Sequence, residues 1–156
     1  MSGQLATQAV VTRLRSIIGS NANVWDMLSD TTTEKAFKDR YVNAGKVHAW
    51  EVTREASNEI EGNQIAAVTV VETIVIYGYM SYQDGVSEPL FQAEVDAIGA
   101  AFRPPSARRF DDVPAVAGQI DWSGPLSIDG PKPGRLGQAL IHYVRMTYPV
   151  NFYPVD

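Results

Sequence analysis

The chain has 156 residues, 45% of them hydrophobic and 20% charged, with two histidines and no cysteine. This length predicts one domain, residues 1–156, and the composition excludes disulfides, thiol catalysis, and cysteine-rich or histidine-rich metal sites. A formal net charge of −5 excludes a global basic field for nucleic acid or an anionic membrane. No apolar run approaches the roughly 20 residues of a membrane span, and the N-terminal segment lacks the apolar region of a signal peptide, so we expect an intracellular protein.

Two helices are predicted in the first third of the chain. Apolar residues recur at helical spacing from Ala6 to Ile18, and Gly19 follows at a position where glycine commonly ends a helix. A shorter helix is predicted over 34–42, where Phe37 and Tyr41 are four residues apart and therefore share a face.

From Val47 onward the sequence predicts strands. Residues alternate with a period of two over 47–55, the polar residues 57–63 predict a hairpin loop, and a long strand follows over about 65–82. Both faces of this strand are largely apolar, so we expect both to be covered, with a bulge or bend at Gly78. At roughly 3.3 Å per residue the strand would span about 55 Å, which is longer than a small domain needs.

The clearest helix follows a predicted turn at 84–85. Ser87 is the expected N-cap, and large apolar residues recur at helical spacing from Phe91 to Phe102, until the two prolines at 104–105 stop the helix. Beside them runs a stripe of small residues that we expect to let another backbone approach, formed by Ala93, Ala97 and Ala100.

The last third of the chain is rich in proline. A long irregular loop is predicted over 103–117, and loops of this length are usually functional or disordered. A strand interrupted at Gly124-Pro125 follows over 118–129, then a turn at 130–134 and a last strand over 136–149. The order of elements predicts an α+β fold, with an antiparallel or mixed sheet of about four strands and helices packed on one face.

No motif with a catalytic mechanism is present in the sequence, because dinucleotide-binding, P-loop, serine-elbow and zinc-protease patterns do not occur. We interpret His48 and His142 as half-buried histidines bonded to a neighbour, and the adjacent Asp111 and Asp112 as solvated loop residues. The three tryptophans are expected to pack in the core or in an interface, since no basic groove accompanies them. The sequence therefore predicts no enzyme, no metal site and no cofactor.

Short motifs stand out along the strands and the third helix. In chain order they are Gly45-x-Val47-x-x-Trp50-Glu51-Val52-Thr53-Arg54, Ile76-Tyr77-Gly78-Tyr79, Asp84-Gly85, Phe91 and Val95-Asp96-Ala97-Ile98. Together with the short N-terminal helix, they resemble the tail terminator proteins of long-tailed bacteriophages, a group that includes minor tail and tail-completion proteins. The resemblance covers about residues 5–150.

The resemblance implies a hexameric ring that caps the phage tail tube, ends tail polymerisation and provides the surface for joining to the head or neck. It implies a structural protein of the virion tail or neck, assembled in the host cytoplasm, with no catalytic residues. Its partners would be other copies of itself, the tail tube protein and the head-completion or neck protein. DNA passes through such a ring, but the net charge of −5 per copy predicts no specific nucleic-acid binding.

Interaction residues are expected where the chain has more surface than its own core needs. Apolar outer positions on a long strand would otherwise be exposed, and exposed apolar patches usually mark contact sites. Charged pairs in the loop and cations in the proline-rich turn are further candidates. The expected interaction residues are Val75, Tyr79, Arg108, Arg109, Asp111, Asp112, Lys132 and Arg135.

Two other classes of protein remain open from the sequence. One is another phage neck or head-closure protein, which would share the size, the acidity and the ring-forming habit. The other is a small α+β ligand-binding domain or enzyme, with a pocket between sheet and helices near Trp50, Tyr77 and His142. A ring favours a phage protein, whereas a monomer or dimer with a deep polar pocket favours a ligand-binding domain.

Overall fold

The computed structural model describes residues 2–28, 33–61, 68–82, 86–102, 120–122 and 126–152. The elements in chain order are α1 (Ser2–Ile18), β1 (Asn23–Trp25), α2 (Glu34–Tyr41), β2 (Val42–Asn43), β3 (Lys46–Glu61), β4 (Val68–Ser81), α3 (Ser87–Ala101), β5 (Ile120–Trp122), β6 (Ser127–Leu136) and β7 (Ala139–Phe152). The helices pack against a mixed sheet, which confirms the predicted α+β class. Within this part of the chain, no helix has the length and apolar composition needed to cross a membrane.

The sheet has the strand order β1-β3-β4-β7-β5, with β2 paired to the start of β3 and β6 paired to β7. β1 runs parallel to β3, and the other pairs are antiparallel. β3 and β4 pair from His48–Met80 to Glu61–Val68, with one bulge between Arg54 and Ala56. β4 already occupies one side of β7 over 141–152, so β5 and β6 both lie on its other side.

The main core lies between one face of the sheet and helices α1 and α3. Because side chains alternate along a strand, every second residue of β3, β4 and β7 points to this face, and the fully buried Trp50, Ile76 and Met146 belong to it. Helix α1 contributes the buried Leu14, and Gly19 ends the helix with a φ of 63°. The predicted apolar stripe of α3 is confirmed as core by the burial of Phe91, Val95, Ile98 and Phe102.

A second, smaller cluster covers the opposite face of the sheet at one end. Tyr41 of α2 packs there with Val47, Ala49 and Ile141, and Phe37 lies against the same group. The predicted short helix is confirmed, and its N-cap is Thr33, whose side-chain oxygen accepts a hydrogen bond from the Ala36 N–H at 3.1 Å. Both faces of the sheet are therefore covered near the start of β3.

Two stretches predicted as turns belong to strands instead. Residues 57–61, expected in a hairpin loop, continue β3 in register with β4. Residues 130–134, expected as a turn, lie within β6, and the turn comes at 137–138. The glycines and prolines are accommodated because the pairing with β7 shifts between Asp129 and Lys132, as a bulge on an outer strand allows.

Two single-residue predictions were also wrong. Gly78 does not bend β4, since the register with both neighbouring strands runs through it unbroken. Its role is to make room, because a Cβ there would lie 2.3 Å from the ring of Trp50. Ser87 is not the N-cap of α3, which is Val86 without a side-chain cap bond; the Ser87 hydroxyl is hydrogen-bonded instead to His142 Nε2 at 2.8 Å.

Candidate functional site

β3 divides into two halves with opposite surroundings. We call residues 46–53 the near half and residues 54–61 the far half. In the near half, Val47 and Ala49 are buried in the smaller cluster, while Trp50 and Val52 are buried in the main core. In the far half, every residue from Arg54 to Glu59 is exposed. Six consecutive exposed residues mean that neither face of this segment is covered.

The far half is nevertheless a regular strand that is anchored to β4. The Ser57 hydroxyl donates a hydrogen bond to Glu72 at 3.0 Å, and Arg54 approaches the same carboxylate at 3.8 Å. Glu72 itself is fully buried. These contacts join the exposed segment to β4 and support its register.

Among the described strands, the outer backbone edge of the far half is also open. β1 pairs with β3 over Ala49–Glu51, and β2 pairs with Val47 and Lys46. Among the strands that the structure describes, none pairs with this edge beyond Glu51. An open edge of this kind is a template for contact with another chain.

A buried ion pair fixes α2 to the near half. Arg40 donates to Glu51 Oε2 from Nε at 2.9 Å and from Nη2 at 2.6 Å, and Nη2 also donates to the Met27 carbonyl. The guanidinium carbon lies 5.1 Å from the centre of the Trp25 ring. Both charged groups are therefore held by hydrogen bonds and stacking, as a charge removed from water requires.

Both predicted interaction residues on β4 are at least partly buried within the protein. Val75 is only 1% exposed, so the prediction that it would be exposed was wrong; its cross-strand neighbours are Thr53 and Thr147. Tyr79 is half-buried and packs edge-on against Tyr41 at 5.7 Å. Burial, and then the negative charge of Glu51, raise the pKa of Tyr79 above its ordinary value.

The other described candidates, Lys132 and Arg135, are exposed on β6. Lys132 Nζ lies 2.8 Å from Asp129, and this hydrogen bond raises the pKa of the lysine. Arg135 is opposite Leu140 in the register with β7. The four loop candidates lie outside the residues that the structure describes, as does the whole of the predicted loop 103–117: Arg108, Arg109, Asp111 and Asp112.

A cleft of about 380 Å³ with a mixed polar and apolar lining opens where β3 begins, β4 ends and α3 begins. Glu94 lines it and accepts hydrogen bonds from Trp50 Nε1 at 2.6 Å and from His48 Nε2 at 2.8 Å. His142 is buried, and Tyr82 packs against its ring at 4.8 Å. Both histidines are bonded to a neighbour, as predicted, His48 to Glu94 and His142 to Ser87, but His142 is buried rather than half-buried. In the described residues no cluster of three or more potential metal ligands occurs.

The cleft is not lined by the residues that were expected to form a pocket, which were Trp50, Tyr77 and His142. Trp50 is fully buried, and Tyr77 lies beside Glu51 and Arg145 in register, on the sheet face opposite the main core. Glu94 was not predicted, because an acidic residue on an amphipathic helix has the same local pattern whether it is solvated or bonded to a strand.

Comparisons with known proteins show the fold but not a family. No family model matches the chain, and no curated protein matches it. One similar solved structure has a TM-score of 0.52 and 18% sequence identity, and the match covers 97% of this chain and 96% of that chain. Its name states neither an activity nor a partner. At this identity the likeness supports the α+β arrangement alone.

Proposed function

We propose that this protein is a structural virion protein of the tail terminator class. It forms a ring, of six copies as the sequence resemblance implies, that caps the tail tube and ends its polymerisation. The ring provides the surface for joining to the head or neck. The observation that carries this proposal is the far half of β3, which is regular strand, exposed on both faces and open at its outer edge.

The length of β3 supports an intermolecular role. Its 16 residues span about 50 Å, whereas a compact domain of this chain length has a radius of gyration of about 15 Å. The main core includes no side chain from Arg54 to Glu59, although β4 and β7 continue it alongside, so this part of β3 contributes little buried surface to folding of one copy. A segment ordered beyond the needs of its own core is well placed to contact a neighbour.

Charge and chemistry agree with a structural role. The net charge of −5 per copy repels a polyanion, which suits a ring through which DNA passes without being held. Several polar groups of the cleft already have hydrogen-bond partners within the protein, as Glu94 has in Trp50 and His48. In this proposal, one face of the ring binds the tail tube protein, and the other face binds the head-completion or neck protein.

Electron microscopy of tails assembled with and without the protein tests this function. Without it, we expect tubes of variable length that do not join heads, because nothing stops polymerisation. Tails of uniform length that join heads without the protein would contradict the terminator role.

A pair of double variants tests whether the far half is used. Lysines at exposed edge positions oppose strand association, so Ala56→Lys with Asn58→Lys should remove capping. Gln4→Lys with Gln8→Lys adds the same charge at exposed positions of α1 and should leave capping intact. Equal capping by the two double variants would contradict a role for the far half.

The cleft beside Glu94 favours a second candidate function, a small ligand-binding domain. Its volume of about 380 Å³ falls in the range of small-molecule sites, and Lys46, His48 and Glu94 line it. This candidate predicts a monomeric native mass for the protein, both free and on tails. It also predicts that polar metabolites raise the melting temperature and that Glu94→Gln abolishes this shift. Both results together would favour this candidate over the ring.

A further inference from the structure

We infer that the cleft beside Glu94 is a hydrolytic site, in which Ser87 is a nucleophile activated by His142 and small carboxylic esters are the substrates. The Ser87 hydroxyl lies 2.8 Å from His142 Nε2, within the distance that a nucleophile and its base require. Ser87 also lines the cleft, so a molecule bound there lies next to this serine. The activity goes beyond the proposed ring and does not depend on it.

Both histidines of the chain lie beneath α3 in one row of the sheet. His48 is directly opposite Met80, which is directly opposite His142, so the three side chains share a face and the two histidines are about 10 Å apart. Their partners on α3 are Ser87 and Glu94, which are also about 10 Å apart on one helix face. The cleft thus extends from a serine–histidine pair to a glutamate–histidine pair, with Met80 between them.

The serine and its histidine are held together by close packing. Ser87 is 3% exposed and His142 is 4% exposed. The ring centres of Tyr82 and Phe91 lie 4.8 and 6.3 Å from that of the imidazole. Packing against two rings restricts the orientation of the imidazole, so Nε2 stays directed at the hydroxyl. A base that is already oriented avoids an entropic cost when the reaction begins.

The start of α3 supplies a donor for the negative charge that develops on the carbonyl oxygen. Ser87 is the first residue of the helix, and the N-cap Val86 makes no side-chain cap bond. N–H groups in the first turn of a helix have no acceptor within the helix. The N–H of Glu88, the residue after the nucleophile, is therefore the expected donor to the oxyanion, together with the positive end of the helix dipole.

The proposed hydrolysis has two balanced steps. In the first, Ser87 Oγ bonds to the ester carbonyl carbon, the hydroxyl proton passes to Nε2 of neutral His142, and the bond to the alcohol oxygen breaks as that oxygen takes the proton from His142. In the second, water attacks the acyl-serine, its proton passes through His142 to Ser87 Oγ, and a carboxylic acid leaves. Water is the co-substrate, so the reaction balances without an oxidant or a reductant.

The lining of the cleft favours small esters with a short apolar acyl group. Leu90 lies one helical turn after Ser87, and both Leu90 and Met80 line the cleft, so an acyl chain next to the serine contacts apolar side chains. The volume of about 380 Å³ is near the lower end for small-molecule sites. The alcohol part of the ester lies towards the polar end, beside Glu94 and His48.

Covalent labelling tests the nucleophile. A small alkyl fluorophosphonate should label the wild type at Ser87, as read by intact mass and peptide mapping. Ser87→Ala should abolish the label, whereas Ser16→Ala, which changes a serine outside the cleft, should keep it. His142→Gln should slow labelling about 100-fold, because it removes the general base. A wild type that does not label would overturn the inference.

A single introduced thiol separates activation by His142 from loss of folding. The chain contains no cysteine, so Ser87→Cys and Ser81→Cys each place one thiol in the cleft. Chloroacetamide should alkylate the first variant at least about tenfold faster at neutral pH, because a neighbouring imidazole promotes the thiolate. Access alone would favour position 81, which is the less buried of the two. Equal rates, or a faster Ser81→Cys variant, would show that His142 does not activate this position.

Turnover of p-nitrophenyl esters tests the substrate class. The wild type should hydrolyse the acetate at least about tenfold faster than the laurate, since a long chain exceeds the cleft, and Ser87→Ala should hydrolyse neither above the rate in buffer. Hydrolysis that survives Ser87→Ala would overturn the inference. Ser87→Ala should still cap tails. A labelled wild type that tails do not require would leave this inference standing and the terminator function wrong, whereas an unlabelled wild type that caps tails would do the reverse.

Discussion

The near and far halves of β3 belong to one continuous strand, yet they have opposite environments. The near half is covered by α3 and the main core on one face and by α2 on the other. The far half is exposed at every position from Arg54 to Glu59. The bulge between Arg54 and Ala56 lies where one environment changes into the other.

This difference shows that strand pairing and core packing are separable along one element. Pairing with β4 continues to Glu61, so backbone hydrogen bonds maintain the far half after side-chain burial has ended. Stability should therefore be concentrated in the near half and its covering helices. The far half, by the same reasoning, is free to serve contacts between molecules.

The largest expected effect on the near half comes from charging the helix that covers it. Phe91 stacks on Trp50 with 5.7 Å between ring centres and is fully buried. Phe91→Asp would bury an unpaired carboxylate, so we expect no folded protein. Phe91→Leu should fold with a loss of a few kcal/mol. A cooperative urea transition for the aspartate variant at the wild-type midpoint would contradict this packing.

The ion pair between α2 and the near half should give the next largest effect. Arg40→Ala leaves the buried Glu51 without its cation, and breaking such a pair costs about 3–5 kcal/mol. The exposed pair of Lys38 with Glu34 at 3.0 Å provides a control, because Lys38→Ala should cost less than about 1 kcal/mol. Urea denaturation compares them, and equal losses would show that the buried pair has no special weight.

Filling the space at Gly78 should be destabilising by about 1–3 kcal/mol, because a methyl group there overlaps the Trp50 ring. A smaller ring should relieve the overlap, so Gly78→Ala combined with Trp50→Leu should lose less than the sum of the two single losses. Strict additivity in the double-mutant cycle would mean that the two residues do not compete for this space.

The sequence predicts the near half and its core well, but it predicts the far half and the site poorly. Alternation over 47–55 and the stripe from Phe91 to Phe102 identify buried faces, because burial leaves a period in the sequence. Residues 57–61 contain one apolar residue, Ile60, among four polar ones, so this segment carries no alternating pattern that would predict a strand. Glu51 and Glu94 were not recognised either, since their partners Arg40 and His48 come from other elements.

The tyrosine cluster beside Glu51 predicts a pH dependence of stability. Burial, followed by the charge of Glu51, raises the pKa values of Tyr79 and Tyr41 in the folded state. In the unfolded chain these groups titrate near pH ~10, so above that pH the unfolded state loses protons that the folded state keeps. The free energy of unfolding should therefore fall as pH rises above about 10.

Replacing one of these tyrosines separates this titration from general alkaline unfolding. Tyr79→Phe removes one of these two ionisable groups, at a cost of about 1 kcal/mol at neutral pH. Its stability should then decline less steeply above pH ~10 than that of the wild type. Parallel declines in the two proteins, measured by urea denaturation from pH 8 to 11, would show that Tyr79 is not responsible.

The smallest effect on stability is expected in the far half. Ala56→Lys with Asn58→Lys places two charges at exposed positions, and surface changes of this kind usually stay within about 0.5 kcal/mol. Ala49→Lys puts one such charge into the near half, where the side chain is fully buried, and should cost more than about 4 kcal/mol. Thermal and urea unfolding of the two variants therefore compare the halves directly. A large loss in the far-half variant would mean that the segment is needed for folding of a single copy, and the reason for assigning it to contacts between copies would disappear. A stable monomer that no longer caps tails would instead place the function of the far half in the assembly.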